Sequence, residues 1–276
     1  MTLRFIFPFI FLFASLAAFG QDGHQIKVKV DNYESTKLIL GYQYGGKQYI
    51  RDTVEINEDG AFVFDGEEPL NEGLYLVVLQ PDNKSIQFMA DGDNQHFNMS
   101  FDGKEEQLAN SVKFKGSKLN DKYYTYLRYL NTKVPEKMAL QEKYQTFKDN
   151  KAEVAKLQES LKAIDLEVRA YHEELITKNP LNLLGRLVNA RLDPQVPEFT
   201  GDDIDVQRYL YYKKHYFDNI DLQDEGLIRA GVLFQKVEYY VKNLTPQMPD
   251  SINQTLDYIL AKTDGTNNFK FFLINY

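Results

Sequence analysis

The sequence predicts an α+β protein: an N-terminal antiparallel β-sandwich over residues 21–116, then an all-α helical domain over residues 117–276 with one long helix. Three observations predict it. From His24 to Gly116 polar and apolar residues alternate in short runs, the period of strands with one buried face, and Gly, Asp and Asn separate the runs. After Gly116 the apolar residues recur every three or four positions, as they do on a helix buried along one stripe. The chain is also 43% hydrophobic, with 19 Tyr and 19 Phe in 276 residues, ample for two domains.

Residues 1–20 precede this pattern. A basic start at Arg4, an apolar run over 5–13 interrupted by Pro8, and small residues up to Gly20 follow the plan of a cleaved signal peptide. A permanent span would need about 20 consecutive apolar residues. Gln21-Asp22-Gly23-His24 follows instead, so the mature chain is expected to be exported and periplasmic, with no membrane insertion after cleavage.

The strands follow in order. Ile26, Val28 and Val30 alternate with Lys27 and Lys29, and runs at 37–44 and 48–56 come next. Glu58-Asp59-Gly60 turns into Ala61-Phe62-Val63-Phe64, Gly73 opens the apolar run 74–79, and Pro81-Asp82-Asn83 turns into 85–90. The run 96–101 alternates before Asp102-Gly103. Seven or eight short strands so spaced are the pattern of a sandwich.

The helical half opens at Ser117, with Leu119, Tyr123, Tyr126, Leu127 and Leu130 at helical intervals; Pro135 then predicts a break and a new helix. In the long helix Val154, Leu157, Leu161, Ile164, Val168, Tyr171 and Leu175 keep one seam until Asn179-Pro180. That seam suits a coiled-coil dimer or an in-chain hairpin, and the helices that follow favour the hairpin. Further helices are expected at 181–191, 202–217, 225–242 and 251–261. The run 269–276 is apolar and uncapped, which reads as an element cut short, so the helical domain is expected to be truncated at its C-terminus.

The formal charge of −8, or −9 once Arg4 leaves with the signal, is spread over interspersed acids and bases. Nucleic acid and anionic lipid both call for clustered Lys and Arg, so neither is an expected partner. The sequence holds no cysteine, which removes disulfides, thiol catalysis and a lipid-bearing cysteine together. It also lacks a Gly-rich phosphate loop, a Gly-x-Ser-x-Gly elbow and a solenoid repeat.

Candidate sites are few. His24, His96, His172 and His215 lie far apart, without the local pairing usual among zinc ligands. His215, Asp218 and Asp221 are the one local set of ligand types, and capping of a helix boundary is the favoured account of the aspartates. Tyr209, Tyr211, Tyr212, Tyr216 and Phe217 form the densest aromatic patch, a candidate surface for a sugar or peptide. Helical geometry spreads them over more than one face, which favours packing. No catalytic, cofactor-binding or metal-binding residue is assigned, and no cofactor is expected.

His215-Tyr216-Phe217-Asp218-Asn219-Ile220-Asp221-Leu222, Val237-Glu238-Tyr239-Tyr240 and Leu244-Thr245-Pro246-Gln247-Met248-Pro249-Asp250-Ser251-Ile252 carry a resemblance, joined by Asp59-Gly60-Ala61-Phe62 and Glu72-Gly73-Leu74-Tyr75. Together they resemble the region upstream of the thioredoxin-like domain in secreted thiol-disulfide oxidoreductases similar to the TlpA and ResA types of Gram-negative bacteria. The resemblance implies a β-domain of unassigned function and a helical domain ahead of a redox domain that carries Cys-x-x-Cys. Nothing here matches that motif, so no catalytic residue carries over, and thiolate attack on a disulfide needs a thiol this chain lacks. The expected role is a non-catalytic accessory region that recruits substrate for, positions or dimerises a periplasmic thioredoxin-like oxidoreductase in cell redox homeostasis. Its expected partners are a protein substrate, its own thioredoxin-like domain beyond Tyr276, or a second copy in a homodimer. The alternatives are a stand-alone periplasmic glycan- or peptide-binding module and a structural self-association protein.

Overall fold

The computed structural model describes residues 23–92 and 95–276; the expected signal peptide at 1–20 lies outside the described residues. Eight strands come first: β1 (His24–Asp31), β2 (Lys37–Tyr44), β3 (Lys47–Glu55), β4 (Phe62–Gly66), β5 (Gly73–Leu79), β6 (Lys84–Ala90), β7 (His96–Asp102) and β8 (Lys113–Lys115). They build two four-stranded sheets in the orders β4-β1-β7-β8 and β3-β2-β5-β6. Neighbours are antiparallel except β1 and β7, which run parallel from Gln25 opposite His96 to Asp31 opposite Asp102. Parallel neighbours require a long crossover; here the chain between them builds β4 and the whole second sheet.

The alternation read from the sequence is what fills the sandwich. Ile26, Val28, Phe62, Phe64, Phe97 and Met99 from one sheet and Leu38, Leu40, Tyr75, Val77, Ile86 and Phe88 from the other are each at most 5% exposed.

The helical half contains α1 (Lys118–Thr146), α2 (Lys151–Lys178), α3 (Leu183–Arg191), α4 (Ile204–His215), α5 (Glu225–Ile228), α6 (Val232–Asn243), α7 (Pro249–Thr263) and α8 (Asn267–Asn275). Two of these helices are long, because Pro135 lies inside α1 rather than before a new helix. Proline has no N–H for the Asn131 carbonyl and ordinarily kinks a helix. This turn of α1 faces solvent, and Lys133–Glu167 at 2.8 Å and Lys137–Asp165 at 2.5 Å tie it to α2 on both sides of the proline.

The α2 seam is satisfied within the chain. Leu157 and Ile164 are buried, Tyr171 lies 4.1 Å from Tyr129 ring to ring, and His172 meets the edge of Tyr126. The stretch 225–242, expected as one helix, is α5 and α6 parted at residues 229–231. Gly231 takes φ +75°, a left-handed conformation that favours glycine. In the turn the Ile228 carbonyl accepts the Gly231 N–H at 3.2 Å and also the Gly45 N–H at 3.0 Å, and the Arg229 carbonyl accepts the Leu74 N–H at 3.1 Å, Gly45 and Leu74 both belonging to the β-half. One core cluster therefore runs from Ile26 in β1 to Phe272 in α8.

Candidate functional site at the junction and around α8

At the start of α3 the Asn182 side chain accepts the Gly185 N–H at 3.0 Å, and Asp91 from the β-half accepts the Leu183 N–H at 2.6 Å. One turn along, the Arg186 guanidinium bonds Glu72 through Nη2, Asp224 Oδ2 through Nε at 2.8 Å and the Leu181 carbonyl through Nη1 at 2.5 Å. Asp224 in turn caps α5, accepting from the Gly226 and Leu227 N–H groups. A single side chain thus joins the β-half, α3 and α5. These polar groups bond one another, which makes the cluster a lock between the halves.

Burial pushes the Glu72 carboxyl up to about 7; its hydrogen bond with Asp91 adds to the rise, while Arg186 pulls the other way. A carboxyl whose folded value lies above its ordinary 4.5 binds its proton more tightly when folded. Its contribution to stability is complete below about 4.5 and fades as pH rises through about 7. The urea midpoint is therefore expected to fall between about pH 5 and pH 8. Glu72→Gln is expected to flatten that fall, and an unchanged slope in the variant would contradict the assignment.

Within the aromatic patch Tyr216 meets both Tyr212 and Phe217, whereas Tyr209 and Tyr211 make contacts outside the set. The Tyr209 hydroxyl donates to the Leu244 carbonyl at 3.0 Å, and Tyr211 stacks on His215 at 4.2 Å. Tyr212 donates to Asp193 Oδ1 at 3.1 Å. Tyr216 is buried among Phe217, Tyr239 and Tyr240, with the Lys236 ammonium 4.7 Å over its ring. Lys236, itself buried, donates to the Leu192 carbonyl and to Asp193; burial lowers its pKa against the pull of Asp193. Nothing in the sequence singles out Lys236 from the other lysines.

His215 Nδ1 lies 2.6 Å from Asp218 Oδ2, whereas Asp221 accepts the Gln223 backbone N–H, so the three candidate ligands do not converge. Among the described residues no group of three or more His, Asp or Glu is arranged to hold a metal ion. No described helix is long and apolar enough to cross a membrane.

A second apolar surface surrounds α8. Its first turn is pinned: Thr266 accepts the Phe269 N–H, Asn267 donates to Glu225 at 2.9 Å, and the buried Asn268 donates to the Leu222 carbonyl at 2.9 Å. Its far end presents Leu273 and Ile274, 57% and 81% exposed, together with Tyr276. Two clefts of about 420 Å³ each flank it. One is lined by Tyr44, Tyr49, Phe234, Phe271 and Ile274 beside Lys47 and Lys270; the other by Leu256, Leu260, Phe272, Leu273 and Tyr276. The turn between β2 and β3 closes the first cleft, and Gly45, at φ +60°, sits directly under the Phe271 ring where a side chain would overlap it.

Comparison with known proteins adds domain matches without an activity. Residues 24–123 match a domain of unknown function (DUF4369), covering all eight strands and the first turns of α1. Residues 143–276 match a second domain of unknown function (DUF5106), from the end of α1 through α8. Neither description mentions thiol-disulfide exchange or a thioredoxin-like domain, so the family resemblance reduces to these two domains. No curated protein and no solved structure matches the chain. The chain is thus similar to a β-domain and a helical domain of unknown function, bridged by α1 and locked at Arg186.

Proposed function

We propose that the chain is the non-catalytic accessory region of a periplasmic thioredoxin-like thiol-disulfide oxidoreductase, and that the face around α8 seats the redox domain. The exposed apolar end of α8 between its two clefts carries this reading. Contiguous apolar patches on soluble proteins commonly mark contact sites. On this reading the exchange chemistry falls to a separate domain, because the chain has no cysteine to perform it, and the locked junction suits a part that holds other parts in place.

The product purified from its host is expected to exceed the mass of this chain by about one domain, roughly 100–150 residues, and to contain Cys-x-x-Cys. In that product Ile274→Asp is expected to leave unfolding of the two halves unchanged while making the redox domain sensitive to protease. A host product with no such domain overturns the reading. A stand-alone glycan- or peptide-binding module is the second reading, favoured by the aromatic lining of the cleft at Tyr44, Tyr49, Phe234 and Phe271.

A further inference from the structure

Alternate residues of an antiparallel edge strand turn both backbone groups off the sheet. On β6, the margin of its sheet, these residues are Met89, Gln87 and Ser85, a phase set by Asn120, which bonds both the N–H and the C=O of Met89. The Tyr124 hydroxyl takes the Gln87 carbonyl at 2.6 Å. Beyond it, the Gln87 N–H and both backbone groups of Ser85 have no partner among the described residues. They open into a groove of about 650 Å³ between α1 and the 3-10 turn Leu108–Asn110. Leu127, Val134 and Pro135 form one wall, and Leu108 and Ala109, beside Glu106 and Gln107, the other. Asn131, whose carbonyl gets no N–H from Pro135, lines the same groove.

We propose that this groove binds an extended apolar peptide segment of another protein, which adds to β6 as a further strand. The free groups supply two donors and one acceptor at strand spacing, the pattern by which a peptide augments a sheet edge. Side chains of an added strand point alternately to opposite faces, and here each face meets apolar residues, Leu127, Val134 and Pro135 on one side and Leu108 and Ala109 on the other. Because walls rise on either side of the edge, one extended chain fits where the margin of a second folded sheet does not. The inference requires no redox domain, and the groove shares no lining residue with the α8 clefts.

The test uses the intact chain and a fluorescent valine-rich heptapeptide, with a counterpart N-methylated at alternate amides. Saturable binding is expected, with hydrogen exchange slowed at the Ser85 and Gln87 amides. The N-methylated peptide is expected to bind about tenfold more weakly or worse. Ser85→Pro, which removes one outward N–H at an edge position that tolerates proline, is expected to weaken binding by about tenfold as well. Val134→Asp is expected to weaken binding without altering unfolding, and it decides the matter with the N-methylated peptide if Ser85→Pro fails to fold. Equal binding of the two peptides, or indifference to Val134→Asp, overturns the proposal. Protection of the same amides on concentrating the chain alone, with doubled mass, also overturns it by making a second copy the occupant.

Discussion

A single methyl group on Gly185 is expected to destabilise the chain by about 3 kcal/mol or more. A Cβ at Gly185 would overlap the Asn179 carbonyl oxygen and lie 2.7 Å from its carbon. That carbonyl belongs to backbone that cannot swing aside. Asn179 is buried at the end of α2, where its amide donates to the Leu175 carbonyl at 2.8 Å and its oxygen accepts Lys122 Nζ at 2.8 Å and Asn182 Nδ2 at 3.3 Å. Alanine improves helix propensity over glycine by about 1 kcal/mol, too little to offset a displaced corner. The corner also aims Arg186 at Glu72 and Asp224, so its displacement loosens the junction. Urea unfolding of Gly185→Ala measures the loss. A variant as stable as the parent would show that α2 and α3 do not meet as closely as described.

The strand half was legible because burial of one face leaves a period of two, as at Ile26 and Val28 between Gln25, Lys27 and Lys29. The parallel pairing of β1 with β7 was not legible, since alternation is the same for either strand direction. Pro135 signalled a break by a local rule, but Lys133 and Lys137 hold the helix through partners on α2, about thirty residues away in sequence. Gly231 was visible as a glycine, while the turn that presents the Ile228 and Arg229 carbonyls to Gly45 and Leu74 has a task only once the halves meet. Tyr209 to Phe217 stood out as aromatic residues, yet the partners of Tyr212 and Tyr216 outside the set come from α6 and Asp193. Arg186 and Glu72, 114 positions apart, carry no sequence signal of their pairing. Hydrophobic period thus announces the elements, and polar contacts between distant segments decide how they join.

Asn120 is the sharpest case of such a contact, and its removal is the second large expected effect. Its side chain is fully buried; Oδ1 accepts the Met89 N–H at 2.7 Å, and Nδ2 donates to the Met89 carbonyl at 3.0 Å and to Ser117 Oγ at 2.9 Å. It does for β6 what a neighbouring strand would do. Asn120→Ala leaves two backbone groups without a partner at a buried position, each worth about 1–3 kcal/mol. A loss of about 3 kcal/mol in urea unfolding is therefore expected. Asn120→Asp separates the roles of the two amide atoms. The carboxylate still accepts from Met89 N–H but sets a negative charge against the Met89 carbonyl, so its folded pKa is expected to rise above the ordinary value of about 3.9. Stability of Asn120→Asp should then be greatest below about 3.9, where the protonated acid can donate, and should decline as pH rises through the folded value. A flat pH profile relative to the parent would show that the donated bond to Met89 does not hold β6 against α1.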